Sequence, residues 1–296
     1  MSGEAKRAGI IMTLGSIALL ILISAQGRSS APDRSLAEVV TGTSDTPTVG
    51  APLSPKRFEA GDQLFKERRA PAKARAALQI YRELFKTNPQ DFEAAWHVAM
   101  GCYYMAARVE TLANEREKVL AEGRDVGEVA IRLSPQACAP CHFWTAIDMA
   151  MYGESVGVLK MLFSLTAIRK HLEASIAADP HYAFGGAYRL LGLIYQKVPG
   201  FFGGSNAKAK AYFLSAIASA PEEPLHYLFL ARLLKDDLQD PAQAMEVAQR
   251  GLKVPTPGPD RVEAFDAVGD LKALVTLLGK TQAPETNTAA KPAGAP

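Results

Sequence analysis

Apolar residues recur along the central part of the chain with the spacing of amphipathic helices. Four stretches place them at i, i+3, i+4 and i+7: "ARAALQIYRELFKTNP", "AYRLLGLIYQKVP", "AKAKAYFLSAIASAP" and "LHYLFLARLLKDD". Proline or glycine clusters separate these stretches, and the alternation typical of strands is missing. The pattern therefore predicts an all-α fold.

Proline closes alternate predicted helices. Pro89, Pro135, Pro180 and Pro221 follow one another at intervals of about 41 to 46 residues. The residues between them resemble the tetratricopeptide repeat, and the best copy carries Tyr188, Leu191, Gly192, Tyr195, Ala209, Phe213, Ala216 and Pro221. Glycine and alanine at such positions let neighbouring helices approach closely. The resemblance implies a helix-pair solenoid of about four to five repeats.

The N-terminus has the features of a targeting segment. Lys6 and Arg7 precede an uncharged stretch at residues 9–24, "GIIMTLGSIALLILIS". As a helix this stretch spans about 24 Å, slightly less than the hydrocarbon core of a bilayer, which is typical of a signal peptide or a short membrane anchor. Because the positive residues come first, we expect the rest of the chain to face the periplasm or the cell exterior.

The composition suggests four segments. Residues 1–27 are the predicted signal peptide or inner-membrane anchor, and residues 28–56 are rich in Ser, Thr, Pro and Gly, as in a disordered linker. Residues 57–280 are the predicted helical domain, and residues 281–296 a disordered tail. We therefore expect a protein of the periplasm or cell envelope.

Charge and motifs exclude several functions. The net charge of +2 offers no basic face for nucleic acid. Nucleophile and zinc-protease motifs such as Gly-x-Ser-x-Gly and HExxH are absent from the sequence, and the five histidines are scattered, so we expect neither an enzyme nor a metal site.

One loop carries a more specific resemblance. The stretch "GAYRLLGLIYQKVPGFFGGSNAKAKAYFLSAI" is similar to the TatT family, the T component associated with TRAP transporters, in which a Pro-Gly-x-x-Gly-Gly loop interrupts a helix pair. The loop residues here are Pro199, Gly200, Gly203 and Gly204. The resemblance implies an exported scaffold, a homotrimer, that binds the periplasmic solute-binding protein of a TRAP transporter or a small-molecule ligand.

The first helices of stacked pairs line a concave surface that binds peptides, partner helices or small ligands. Six side chains at or near inward-facing positions are candidate contacts, although each could instead pack between helices: His97, Tyr104, Asp148, Tyr152, Arg189 and Tyr195. The adjacent Phe201 and Phe202 suit a protein contact at the loop.

The stretch "CAPCH" leaves several interpretations open. Cys138, Cys141 and His142 have the spacing of a haem c attachment site. Haem c is therefore the alternative to the leading expectation, a protein without a cofactor. The two cysteines could also form a thiol redox pair or a structural disulfide, in which Cys102 could replace one of them, or remain free thiols. The leading function is therefore non-catalytic partner binding, and the alternative is a haem-bearing or thiol-redox protein.

Overall fold

The computed structural model describes residues 55–134 and 136–282, and these ranges are helical without any strand. The predicted targeting segment, nearly all of the linker, most of the tail and Pro135 lie outside the described residues. Within them the helices are α1 (Glu59–Lys66), α2 (Pro71–Thr87), α3 (Phe92–Tyr104), α4 (Ala113–Leu133), α5 (Ala139–Val156), α6 (Val158–Ala178), α7 (Gly186–Lys197), α8 (Asn206–Ser219), α9 (Pro224–Asp236), α10 (Pro241–Gly251) and α11 (Val262–Gln282).

The helices form two compact units, one ending at Asp179 and one beginning at Pro180. In the N-terminal unit each helix contacts the next along the chain, and α3 also contacts α5. In the C-terminal unit, α9 contacts α7 and α11 in the same manner. Contact between every second helix is the arrangement of a helix-pair solenoid, so the predicted all-α solenoid is confirmed. Among the described helices, none combines the length and apolarity that crossing a membrane requires.

Polar side chains fix where several helices begin. The Asp91 carboxylate accepts hydrogen bonds from the first-turn amides of α3, and Asp240 caps α10 in the same way. Glu223 caps α9 and also pairs with Arg261, while Asp91 pairs with Arg57 at 3.0 Å. Each of these ion pairs joins residues about one repeat apart in the sequence, so the caps also connect successive repeats.

Glycines bring paired helices into close contact with aromatic rings. A Cβ atom added at Gly192 of α7 would lie 2.6 Å from the ring of Phe213 on α8. Gly61 has the same relation to the Tyr81 ring, at 2.5 Å, whereas a Cβ atom at Gly251 would lie 2.6 Å from Cβ of Tyr227 and 3.1 Å from its ring. The shortest of these separations at each glycine is below any ordinary carbon contact, so only glycine fits beside these aromatic side chains. Gly192 is therefore one of the small residues of the repeat that let neighbouring helices approach closely.

The glycine contacts predict opposite effects for two substitutions in the C-terminal unit. Gly192→Ala should lower the free energy of unfolding by about 1–3 kcal/mol, because the new methyl group overlaps the Phe213 ring. Gly269→Ala is the matched control: Gly269 lies exposed within α11 with no neighbour near its Cβ position. It should gain about 0.5–1 kcal/mol from helix propensity. Chemical denaturation measures both, and equal effects would contradict the packing argument.

Candidate functional site

Two aromatic side chains meet where α3 contacts α5, both first helices of their pairs. The ring centres of Tyr103 and Trp144 are 5.4 Å apart, with the planes inclined by 33°. Phe143 packs edge-on against Trp144 at 4.8 Å. Tyr103 and Phe143 are buried, whereas Trp144 is half-buried. The remaining open part of the indole is an apolar contact surface, and we call Tyr103 and Trp144 the aromatic pair.

Three of the predicted contact residues lie in the core instead. His97, Tyr104 and Asp148 are 6%, 3% and 0% exposed. Tyr104 packs edge-on against Phe65 with a centre distance of 5.7 Å. The fold covers the Asp148 side chain completely, so direct contact between Asp148 and a partner is excluded. Sequence periodicity assigned these residues to first helices correctly, but it did not show which face of the helix they occupy.

His97 is held by contacts on both sides of its ring. The Phe58 ring stacks on it at 4.0 Å, and its Nδ1–H donates to the Glu93 carbonyl over 2.7 Å. Its Nε2 lies 3.7 Å from the Asp62 carboxylate, which also accepts a hydrogen bond from Tyr81. Burial lowers the pKa of His97 below its ordinary value. The imidazole is therefore a neutral part of the packing between α1, α2 and α3.

Asp148 is a buried acid without a counter-charge. Neither carboxylate oxygen has a hydrogen-bond partner among the described residues. Burial first, and then the nearby Glu122 carboxylate, raises the pKa of Asp148 well above its usual range. The Cys102 thiol shares this environment, and burial raises its pKa well above the ordinary value too. Arg82 does not neutralise Asp148, because Arg82 pairs with Glu122 at 2.7 Å.

Two predicted tyrosines remain half-buried with cations over their rings. The Arg124 guanidinium lies 4.2 Å from the ring centre of Tyr152. The Tyr195 ring stacks on Tyr212 at 5.4 Å, with the Lys208 ammonium 5.2 Å away. Such contacts hold the rings in place and leave part of each available to a partner.

Arg189 belongs to a contact between α7 and α9. Its guanidinium donates towards Nδ1 of His226 over 3.4 Å, and Nε2–H of the same ring donates to the Phe184 carbonyl over 2.7 Å. Burial, followed by the charge of Arg189, lowers the pKa of His226 to about 3. The neutral imidazole therefore accepts from Arg189 and fixes its orientation at the surface of the C-terminal unit.

The glycine loop is shaped by its backbone. Gly203 has φ +88°, in the left-handed region that favours glycine. A Cβ atom at Gly204 would lie 1.6 Å from the Val198 carbonyl oxygen. Ser205 then caps α8, its hydroxyl accepting from the amide of Lys208. Pro199 and Gly200 open the loop, and the phenyl rings it presents are exposed, Phe201 by 72% and Phe202 by 44%.

The two cysteines of "CAPCH" are joined in a disulfide at the beginning of α5. Cys141 is fully buried and Cys138 is 8% exposed, while Cys102 is a free, buried thiol. Both cysteines pack in an apolar cluster with Ala95 and Ala130. The structure therefore contains the Cys138–Cys141 disulfide, which is one of the arrangements that the sequence left open. Attachment of haem c stays a prediction, and it would require both sulfurs in their reduced form.

The residue after the disulfide meets a second histidine that the sequence did not single out. His142 of α5 and His171 of α6 place their Nδ1 atoms 3.0 Å apart, and both rings are half-buried. Burial lowers the pKa of both histidines. His171 lowers the pKa of His142 further, and Lys170 lowers the pKa of His171 further. The two residues are 29 positions apart, so only the packing of α5 on α6 reveals the pair.

Asp148 predicts a pH dependence of stability. The folded state holds this proton more tightly than the unfolded chain, where the carboxyl has an ordinary pKa of about 3.9. From that pH upward to the folded pKa the folded protein binds more protons, so its contribution to the free energy of unfolding falls as pH rises. The slope reaches about 1.4 kcal/mol per pH unit. Asp148→Asn should remove this slope in denaturation curves between pH 4 and 8, whereas equal slopes would show that the pKa of Asp148 is the same in the folded and the unfolded chain.

Comparison with known proteins places these features in a family. The model of the family described as Regulator of microtubule dynamics protein 1-3 matches residues 58–274. A thermophilic TPR protein in Thermus thermophilus is similar in structure, with a TM-score of 0.51, 18% identity, and coverage of 71% of this chain and 98% of that one.

The MamA RS-1 ArsTM double mutant gives a TM-score of 0.41 at 19% identity, over 67% of this chain and 93% of the other. A search of the curated proteins finds no match. The Thermus thermophilus structure supports the tetratricopeptide-like fold, and the family match extends over most of both helical units. The chain thus belongs to the Regulator of microtubule dynamics protein 1-3 family.

Proposed function

We propose that this protein is a non-catalytic scaffold that binds a protein partner along the first helices of its N-terminal unit. The observation that carries the proposal is the aromatic pair, in which a half-buried Trp144 is supported by Tyr103 across the contact between α3 and α5. Tryptophan and tyrosine dominate the energetics of protein interfaces, above all where packing holds them rigid. Tetratricopeptide-like folds generally bind proteins through such surfaces.

The surface around α5 offers a partner segment both apolar area and positive charge. Trp144 offers apolar area, and two turns further along the helix Tyr152 carries the Arg124 guanidinium over its ring. Lys160 approaches the same ring at 5.7 Å. A peptide or helix with an apolar anchor and acidic residues two turns away would complement this surface.

Two more specific proposals concern the identity of the partner. The likeness of the glycine loop and its flanking helices to the T component supports an exported, trimeric accessory protein that binds the solute-binding protein of a TRAP transporter or its ligand. The family match supports a second candidate, since its name refers to microtubule dynamics. Calorimetric titration with the solute-binding protein and co-sedimentation with microtubules separate the two, and analytical ultracentrifugation tests the trimer.

The scaffold proposal can be tested without knowing the natural partner. A random peptide library is selected on the full-length chain, and the affinity of the best peptide is compared between variants. Trp144→Ala should weaken binding by about 2 kcal/mol, the loss typical of a central aromatic contact. Phe163→Ala is the matched control, because Phe163 is an aromatic residue that is 86% exposed on α6, a second helix.

The control variant should bind within about 0.5 kcal/mol of the unchanged protein. Selected peptides that bind both variants equally, while circular dichroism shows both folded, would contradict a binding surface at Trp144.

The haem-bearing alternative is tested by a spectrum. It predicts a haem absorbance after expression in a host that attaches haem c, lost on Cys141→Ala. Protein without that absorbance and with a mass lowered by one disulfide would leave Cys138 and Cys141 as a structural link.

A further inference from the structure

The histidine pair between α5 and α6 has the donor atoms of a metal site. His142 and His171 approach through their Nδ1 atoms at 3.0 Å, while the ring centres are 5.3 Å apart. The rings therefore meet at their nitrogen edges, and only one of the two nitrogens can carry a proton in this contact. Neutral imidazole nitrogens are preferred ligands of copper, nickel and zinc.

The backbone around both histidines is held by other contacts. The disulfide closes the first turn of α5 just before His142, and the Thr145 hydroxyl donates to the Cys141 carbonyl over 2.6 Å. On the other helix Ser175, one turn after His171, donates to the Ala139 carbonyl over 3.1 Å. The backbone that carries the two imidazoles is thus held by buried interactions that do not involve the rings, so both helices present the histidines from a fixed position.

We propose that His142 and His171 form a two-imidazole binding site for a divalent copper ion. The ion displaces the shared proton and lies to one side of the line between the two Nδ1 atoms, and that proton moves to Nε2 of the same imidazole. Metal–nitrogen bonds of about 2.0–2.1 Å across a 3.0 Å separation enclose an angle of roughly 90°. This angle suits neighbouring positions in the tetragonal geometry of Cu²⁺ better than the wider angle of a tetrahedral Zn²⁺ site.

Copper is also favoured by affinity. Divalent first-row ions bind nitrogen donors most tightly at Cu²⁺, so a site with only two protein ligands retains this ion where it would release the others. The described residues contain no group of three or more His, Cys, Asp or Glu side chains that could hold a metal ion. Because the two rings supply only two ligands, water would occupy the remaining positions around the ion. This inference is independent of the proposed scaffold function.

The test uses the full-length chain, stripped with a chelator and titrated with copper(II) chloride in the presence of glycine as a weak competitor. The unchanged protein should bind one equivalent, and its electron paramagnetic resonance spectrum should show coupling to two imidazole nitrogens. His142→Gln and His171→Gln should each lose more than about tenfold in affinity, because each removes one of the two protein ligands, and loss of an outer-shell partner alone typically costs about 10- to 100-fold. The matched control is His181→Gln, since His181 is an exposed histidine of the C-terminal unit, and it should bind like the unchanged protein.

A spectrum of the unchanged protein without coupling to two nitrogens would overturn the proposal, and this readout needs no variant to fold. The same holds if His171→Gln binds copper as tightly as the unchanged protein. Thermal unfolding provides a second measurement, since one equivalent of copper should raise the Tm of the unchanged protein and of His181→Gln but not that of His171→Gln.

Discussion

The close approach of paired helices at glycine is the constraint on which the rest of this structure depends. Gly61 and Gly192 each face an aromatic ring of the neighbouring helix at a distance that admits no side chain, and Gly251 faces Cβ of Tyr227 equally closely. The rings are buried there, Tyr81 and Phe213 completely. Each contact fixes the separation of one pair and the position of its first helix. Where those first helices are fixed, their side chains form a surface of defined geometry, and a binding function becomes available.

The same close packing explains an unfavourable feature of the N-terminal unit. Gly123 leaves room for the Asp148 carboxyl, since a Cβ atom there would lie 2.3 Å from its oxygen. The acid occupies a space closed by Gly123 and Cys102. The nearby Arg82 guanidinium pairs with Glu122, and the Glu122 carboxylate disfavours a negative charge on Asp148. Burying a carboxyl in such a site favours its protonated form. Burial extends the pH range in which this group stays protonated, and the stability of the fold consequently depends on pH.

The beginning of α5 combines a structural and a chemical role within a few residues. The disulfide and the cap formed by Cys138 Sγ fix the first turn, and the helix then presents His142 towards α6 and Trp144 towards α3. One side chain enters an imidazole pair and the other an aromatic pair, two residues apart. The start of a single helix therefore positions both the proposed copper ligand His142 and the proposed partner contact Trp144.

Much of this architecture could be predicted from local sequence. Helical periodicity, closing prolines and the Gly-Phe relation within one repeat specify the helix pairs, because those interactions join residues close in the chain. Periodicity could not decide which first-helix residues face outward: α3 and α5 are covered on most sides, so His97, Tyr104 and Asp148 became buried. Pairing across 29 residues, as between His142 and His171, follows from the rotation and depth of α5 against α6. The sequence alone therefore determined helices and repeats, whereas only the tertiary structure decided which side chains meet, because helix packing sets distances that no local pattern encodes.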